Sequence, residues 1–336
     1  MKTWLTLLLI CILSQLNAKG IDDPKIVSSG RDSSCISSCK LPWSFRLYSV
    51  NKISEMILRT PNDSLPAATY NPRSKVAIGV GVFYRSFGVW TGLRVDVFDK
   101  NKKTIAYDLQ LNQYAKRFTN DLHLQYYEGV YLDNAYDYRF TNPIPPEAEF
   151  RGDVSTFSMG INSNYYVNWE HFSTRAPFIQ SELQLKNAGS IILGGSLNNF
   201  SFNADSSVFP NAKTLQPSQA VRSGSFFTMA VNVGYAYTFV WSKYGYININ
   251  AIAGPGITRW EYLVEDASGY QGVRPMLRAG GRISAGYNWD RVFTGVSAVI
   301  EQLNIFYDSN TVNYVFGNVR VFVGYRPDFN RDRSNR

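Results

Sequence analysis

Between Phe226 and Gly254 the chain alternates with a period of two. Phe227, Met229, Val231, Val233, Tyr235, Tyr237, Phe239 and Trp241 fall on one parity, and Thr228, Ala230, Asn232, Gly234, Ala236 and Thr238 on the other. Successive side chains of a strand point to opposite faces, so this is a strand with one bulky apolar face and one small or polar face. Trp241, Ser242 and Lys243 form the turn, and Ile247, Ile249, Ala251 and Ala253 carry the same dyad onward against Tyr246, Asn248, Asn250 and Ile252. A soluble barrel keeps its large apolar groups inside. Here the Gly- and Asn-rich parity suits the interior and the bulky parity suits lipid, as a transmembrane β-barrel requires. A secreted soluble β-sandwich is the alternative, and it would need the bulky parity to face a core.

Carried along the chain, the pattern predicts strands at 43–50, 75–85, 88–98, 104–115, 120–131, 153–170, 178–199, 223–240, 244–263, 274–288, 291–306 and 313–326, with no helix. The connections at 86–87, 116–119, 171–177, 241–243 and 289–290 are short, and those between them are mostly long. Outer-membrane barrels pair short periplasmic turns with long outer loops. The expected fold is therefore all-β: a single transmembrane antiparallel up-and-down barrel of about 12 strands over residues 42–326, both ends periplasmic. Ile53–Thr60 reads either as an additional strand or as a bulged extension of the first. Several segments approach twice the ~9–11 residues that a tilted membrane strand needs, so the sheet should project beyond the bilayer.

Composition narrows the class. Of 336 residues, 45% are hydrophobic and 15% aromatic, with 22 Tyr and 21 Phe; such amphipathic rings gather at the two membrane interfaces of a barrel. The net charge of +8 is dispersed, with no basic helix or recognition motif, so nucleic acid is not an expected partner. Outer-membrane lipid and lipopolysaccharide are the expected partners instead. Met1–Ala18 has Lys2, an apolar core from Trp4 to Leu13 and a polar end, and reads as a secretory signal peptide leading to the periplasm and outer membrane of a Gram-negative cell. Residues 19–41 form a polar leader in which Cys35 and Cys39 are either a small disulfide or two thiols. Residues 327–336 form a basic, disordered tail.

Candidate chemistry lies on the inward parity. Arg46, Arg94, Asp96, Asp108, Glu182, Lys186, Arg278, Arg282, Glu301 and Arg320 all oppose the apolar stripes of their strands. Charges of both signs in a narrow barrel form a mutually satisfied network or line an aqueous path; the bulky Phe83, Trp90, Tyr246 and Phe322 on the same parity favour a filled lumen. His171 and Ser173 resemble the His-x-Ser pair of lipid A deacylases, which makes a membrane lipid hydrolase the rival class. Their place at the periplasmic end argues against it, so the protein is expected to be non-enzymatic. His123, beside Gln125 and Tyr127, is expected to hydrogen-bond within the lumen. No phosphate loop, dinucleotide fingerprint or zinc spacing is present, and no cofactor is expected.

The run Phe172-Ser173-Thr174-Arg175-Ala176-Pro177-Phe178, followed by Gln180, Glu182, Gln184, Lys186, Ala188-Gly189-Ser190 and Leu193-Gly194, resembles the domain-of-unknown-function family numbered 4421 of Bacteroidetes-type bacteria. The resemblance covers about 40–326. It implies an outer-membrane β-barrel and no particular activity. It also implies that Arg175, Gln180, Glu182, Gln184, Lys186, Gly189 and Ser190 form a shared strip. Alternation places Gln180, Glu182, Gln184 and Lys186 on the lumen face of a strand, with Ile179, Leu183 and Leu185 opposite.

Overall fold

The computed structural model describes residues 30–60, 66–72, 76–94, 104–138, 149–210, 220–266, 268–308 and 310–329. The signal peptide, the first part of the leader, Asp96 and most of the tail lie outside the described residues. Met1–Asp32 is set apart as a separate unit from Ser33–Arg336, and the fold that follows is that of the second unit.

Its strands are β1 (Ile36–Ser38), β2 (Trp43–Arg59), β3 (Ala68–Asn71), β4 (Val76–Tyr84), β5 (Phe87–Arg94), β6 (Ile105–Tyr114), β7 (Phe118–Leu132), β8 (Phe150–Tyr166), β9 (Glu182–Gln184), β10 (Ala188–Asn203), β11 (Val221–Val240), β12 (Gly245–Val264), β13 (Gly269–Asn288), β14 (Val292–Tyr307) and β15 (Asn310–Tyr325). Twelve of them run antiparallel as successive neighbours around a ring, from β2 through β4–β8 and β10–β15, and β15 returns to pair with β2 from Tyr325↔Phe45 to Thr311↔Arg59. Closing the ring lets most of the ladder satisfy its backbone groups without water; the seam between β5 and β6 is paired only from Phe87↔Gln113 to Trp90↔Gln110. The expected count of twelve holds for the wall. Ile53–Thr60 resolves as an extension of the first strand, since β2 continues to Arg59. The short β3 bridges β2 and β7 at the outer rim, above the shorter β4–β6.

The lipid face is the parity anticipated from β11. Val231 is 66% exposed, Val233 59%, Leu47 61%, Leu277 56% and Val321 57%. At the end where the tight turns lie, and where β2 begins and β15 ends, Trp43, Tyr84, Phe87, Phe118, Phe239, Trp241, Trp289 and Tyr325 are exposed as a girdle. Met229 to Trp241 spans roughly 40 Å of strand, which at a tilt of about 45° gives roughly 28 Å of height, close to a lipid core. At the outer end the outward positions turn polar. Tyr126, Phe157, Ser201, Ser225, Glu261 and Gln271 form one cross-strand row, each the registered partner of the next.

The connection between β8 and β10 departs from expectation. Residues 153–170 and 178–199 do not form two long strands joined by a short turn. β8 ends at Tyr166, β10 begins at Ala188, and the intervening chain contains a one-turn helix α1 (Arg175–Phe178) and the short β9. Pro177 has no N–H to donate to a ladder, and Gln180 adopts a φ of 45°, so this segment cannot continue as wall. The leader is also structured: β1 pairs with β9, Ile36 opposite Gln184 and Ser38 opposite Glu182.

Candidate functional site: the barrel lumen

The inserted segment 172–184 is buried at the tight-turn mouth. Phe172, Ser173, Thr174, Ile179, Gln180 and Glu182 are each at most 2% exposed. Polar groups of the wall hold it on all sides. Arg175 Nε donates to Tyr114 O at 2.7 Å, Arg175 Nη2 to Ser86 Oγ at 2.9 Å, and Arg46 Nη1 to Phe178 O at 3.0 Å. Asn288 Nδ2 donates to Glu182 O at 2.9 Å, while Arg326 donates to Gln180 O and, at 2.7 Å, to Trp289 O. Gln180 Nε2 donates to Tyr246 Oη and Pro177 O, so the left-handed residue is fixed from both its side chain and its carbonyl. A buried position this heavily bonded can maintain an otherwise uncommon backbone conformation.

The lumen residues foreseen from parity then divide. Gln180, Glu182 and Gln184 are buried, but on the inserted segment rather than on a wall strand. Lys186 does not face the lumen: its Nζ donates to Ser34 Oγ at 3.0 Å in an exposed contact. Arg94 ends β5, opposite Ala77, and Asp96 lies outside the described residues. Arg278, Arg282 and Glu301 form the central network. Arg278 Nη2 pairs with Glu301, its Nη1 donates to Asn232 Oδ1 at 2.7 Å, and Arg282 bridges Asp121 at 2.6 Å and Glu301 at 3.5 Å. Arg278 is 1% and Glu301 4% exposed. A second centre joins Lys52 to Asp108 at 2.7 Å, with Gln125 Nε2 donating to the same carboxylate at 3.0 Å. Arg320 lies 3.8 Å over Trp90 and donates to Gln110. His123 meets Ser158 Oγ at 3.2 Å, the lumen bond expected of it.

Parity did not disclose the outer half of the interior. Phe200, Phe202, Phe226, Trp260, Tyr262, Tyr307, Tyr314, Leu58 and Ile305 are buried there in one apolar cluster. Phe200 and Tyr314 stack with centroids 4.0 Å apart. The signal was present in the inward parity of Phe226 and the aromatic positions at 200 and 202, but the expected filling was assigned to the charged ladder and to Phe83, Trp90, Tyr246 and Phe322.

The proposed hydrolase pair is not assembled. Ser173 Oγ donates to Glu182 Oε2 at 2.5 Å and accepts the amides of Arg175 at 3.2 Å and Ala176 at 3.1 Å. His171 is exposed, with Nδ1 3.0 Å from Asn168 Oδ1. They share no strand face, because neither lies in a strand.

The fold and its lipid face thus define a twelve-stranded membrane β-barrel. The chain belongs to the family described as Domain of unknown function (DUF4421), whose profile matches residues 30–326. No curated protein matches it. Among solved structures it is similar to the outer membrane protease OmpT from Escherichia coli, at 7% identity over 86% of this chain and 98% of that one, with a TM-score of 0.40. It is also similar to the toluene transporter TodX of Pseudomonas putida (7% identity, 85% and 90% covered, TM-score 0.28) and to Ail, the attachment invasion locus protein of Yersinia pestis (9%, 83% and 98%, TM-score 0.22).

Proposed function

We propose that this protein is a non-enzymatic, structural barrel of the outer membrane, sealed in its resting state. The observation that carries the reading is the double closure. Segment 172–184 fills the tight-turn mouth and the aromatic cluster fills the outer half, and the cavities that the described residues line between them include two of about 80 Å³ and 70 Å³. Cavities of that size hold a few waters, each with about 30 Å³ of liquid volume, and not a hydrated solute stream. Folded protein in a planar bilayer should therefore carry no steady current. Stable conductance from the intact chain would replace this reading with that of a narrow conduit. Replacing 173–185 with a Gly-Ser linker opens only the tight-turn mouth, so that variant should stay silent unless the aromatic cluster also yields.

Lipid is the proposed partner. Just above the apolar belt, the polar row from Tyr126 to Gln271 lines an outward hollow of about 670 Å³, at the depth where the headgroups of outer-membrane lipid and lipopolysaccharide would lie. The alternative of a lipid A deacylase-like hydrolase rests on His171 and Ser173, and the bonds of Ser173 to Glu182 and to the α1 amides favour a positioning role. Cells carrying His171→Ala or Ser173→Ala should give the same lipid A acyl profile by mass spectrometry as cells with the intact protein. Loss of an acyl chain that depends on both residues would reverse the assignment.

A further inference from the structure

Among the described residues, the centre of the lumen carries more positive than negative charge. Lys52 is matched by Asp108, Arg282 by Asp121, Arg278 by Glu301 and Arg175 by Glu182. Among the described residues no carboxylate lies within ion-pair distance of Arg46 or Arg320. Arg326, likewise without one, donates to the carbonyls of Gln180, Trp289 and Asp290 and to the amide oxygen of Asn288 at the mouth. Arg46 is 2% exposed, and its Nε and Nη2 meet no acceptor; the Nε of Arg320 is also buried without one. Both guanidinium groups lie against Trp90, at 5.2 Å and 3.8 Å from the ring centroid, and both line the cavity of about 80 Å³ directly beneath Phe178 and Ile179 of the inserted segment.

We propose that this cavity binds a small monovalent anion, such as a halide, held by the free N–H groups of Arg46 and Arg320. Aromatic faces stabilise a cation only partly, since Phe83, Phe293 and Phe322 around Arg46 supply quadrupoles rather than charge. Water in the cavity would satisfy hydrogen bonds but leave two cations uncompensated in a low-dielectric interior, where an isolated charge is costly. The cavity wall also carries Asp121 and Glu301, both paired with Arg282, and these carboxylates, with the apolar Phe83, Phe178, Ile179 and Phe316, select against a multiply charged, strongly hydrated anion such as phosphate. Because Arg46 also donates to Phe178 O, an anion at this place neutralises the floor on which the inserted segment rests and favours the seated segment.

The inference rests on the closed lumen proposed above, and the two are tested separately. Full-length protein is refolded in sodium bromide and crystallised, and anomalous scattering is recorded at the bromine edge. A peak within hydrogen-bond distance of the Arg46 or Arg320 guanidinium is expected. Bromide on the surface only, an adventitious ion only, or water alone in the cavity would overturn the proposal. In solution, the unfolding midpoint should rise saturably when isethionate is exchanged for chloride at constant ionic strength. Losing a charge-assisted hydrogen bond should raise the half-saturating halide concentration roughly tenfold or more in Arg320→Gln. An identical midpoint in both salts would also count against the site. If Arg320→Gln fails to fold, the two wild-type measurements decide. A steady conductance from protein with bromide bound would overturn the sealed reading and leave the anion site standing, whereas a silent barrel without bromide would do the reverse.

Discussion

Glu301→Gln should destabilise the refolded barrel by about 3–5 kcal/mol, the loss that follows when one partner of a buried ion pair is removed and the other stays charged. Arg278 Nη2 pairs with Glu301, and Arg282 Nη2 is 3.5 Å from the same carboxylate, so the substitution leaves Arg278 facing a neutral amide and Arg282 with Asp121 alone. Arg278 is cut off from bulk solvent, with its side chain 0% exposed. Urea unfolding in lipid vesicles, read by the heat-modifiable gel shift of folded barrels, measures the loss. Arg278→Met in the Glu301→Gln background should recover part of it, because an apolar side chain of similar length removes the uncompensated charge. The non-additivity of that cycle is the signature of a network rather than of independent ions. A loss below about 1 kcal/mol for Glu301→Gln, in the range of exposed pairs, would mean that water reaches the centre of the lumen.

Val233→Arg should cost about 2–4 kcal/mol in assembly, and Ser225→Arg about 0–1 kcal/mol, because the penalty for a cation on a lipid-facing strand falls from the bilayer midplane to the interface. Both residues are exposed on the outward parity of β11. Val233 lies midway along the apolar belt, while Ser225 belongs to the polar row at the outer end. The inward neighbour Asn232 is no neutral comparison. Its Oδ1 accepts from Arg278 at 2.7 Å, and a second cation there would face the first. The yield of folded barrel on refolding into vesicles reads the difference. Equal yields for the two variants would remove the belt from the lipid and return the bulky parity to a soluble packing role.

Residue by residue, the sequence determined which way the wall faces. The period of two along Phe227–Trp241 needs only local geometry, because alternate side chains of any strand point to opposite faces, and bulky residues on one parity with Asn, Gly and Thr on the other leave one solution in lipid. Twelve wall strands, their shared termini and the inward parity of Arg46, Arg278, Arg282, Glu301 and Arg320 follow from that rule. Tertiary structure alone decided what fills the barrel. Gln180, Glu182, Gln184 and Lys186 alternate as a strand would, yet the segment turns inward. Pro177 cannot join a ladder, and the carbonyls of Pro177, Phe178 and Gln180 find donors in Tyr246, Arg46 and Arg326, which lie 69, 132 and 146 residues away in the chain. The aromatic cluster of the outer half was hidden for a related reason. Parity assigns a side chain to the interior, but whether that interior is water or packed rings depends on what the opposite strands contribute, and Phe200 meets Tyr314 only once the ring has closed.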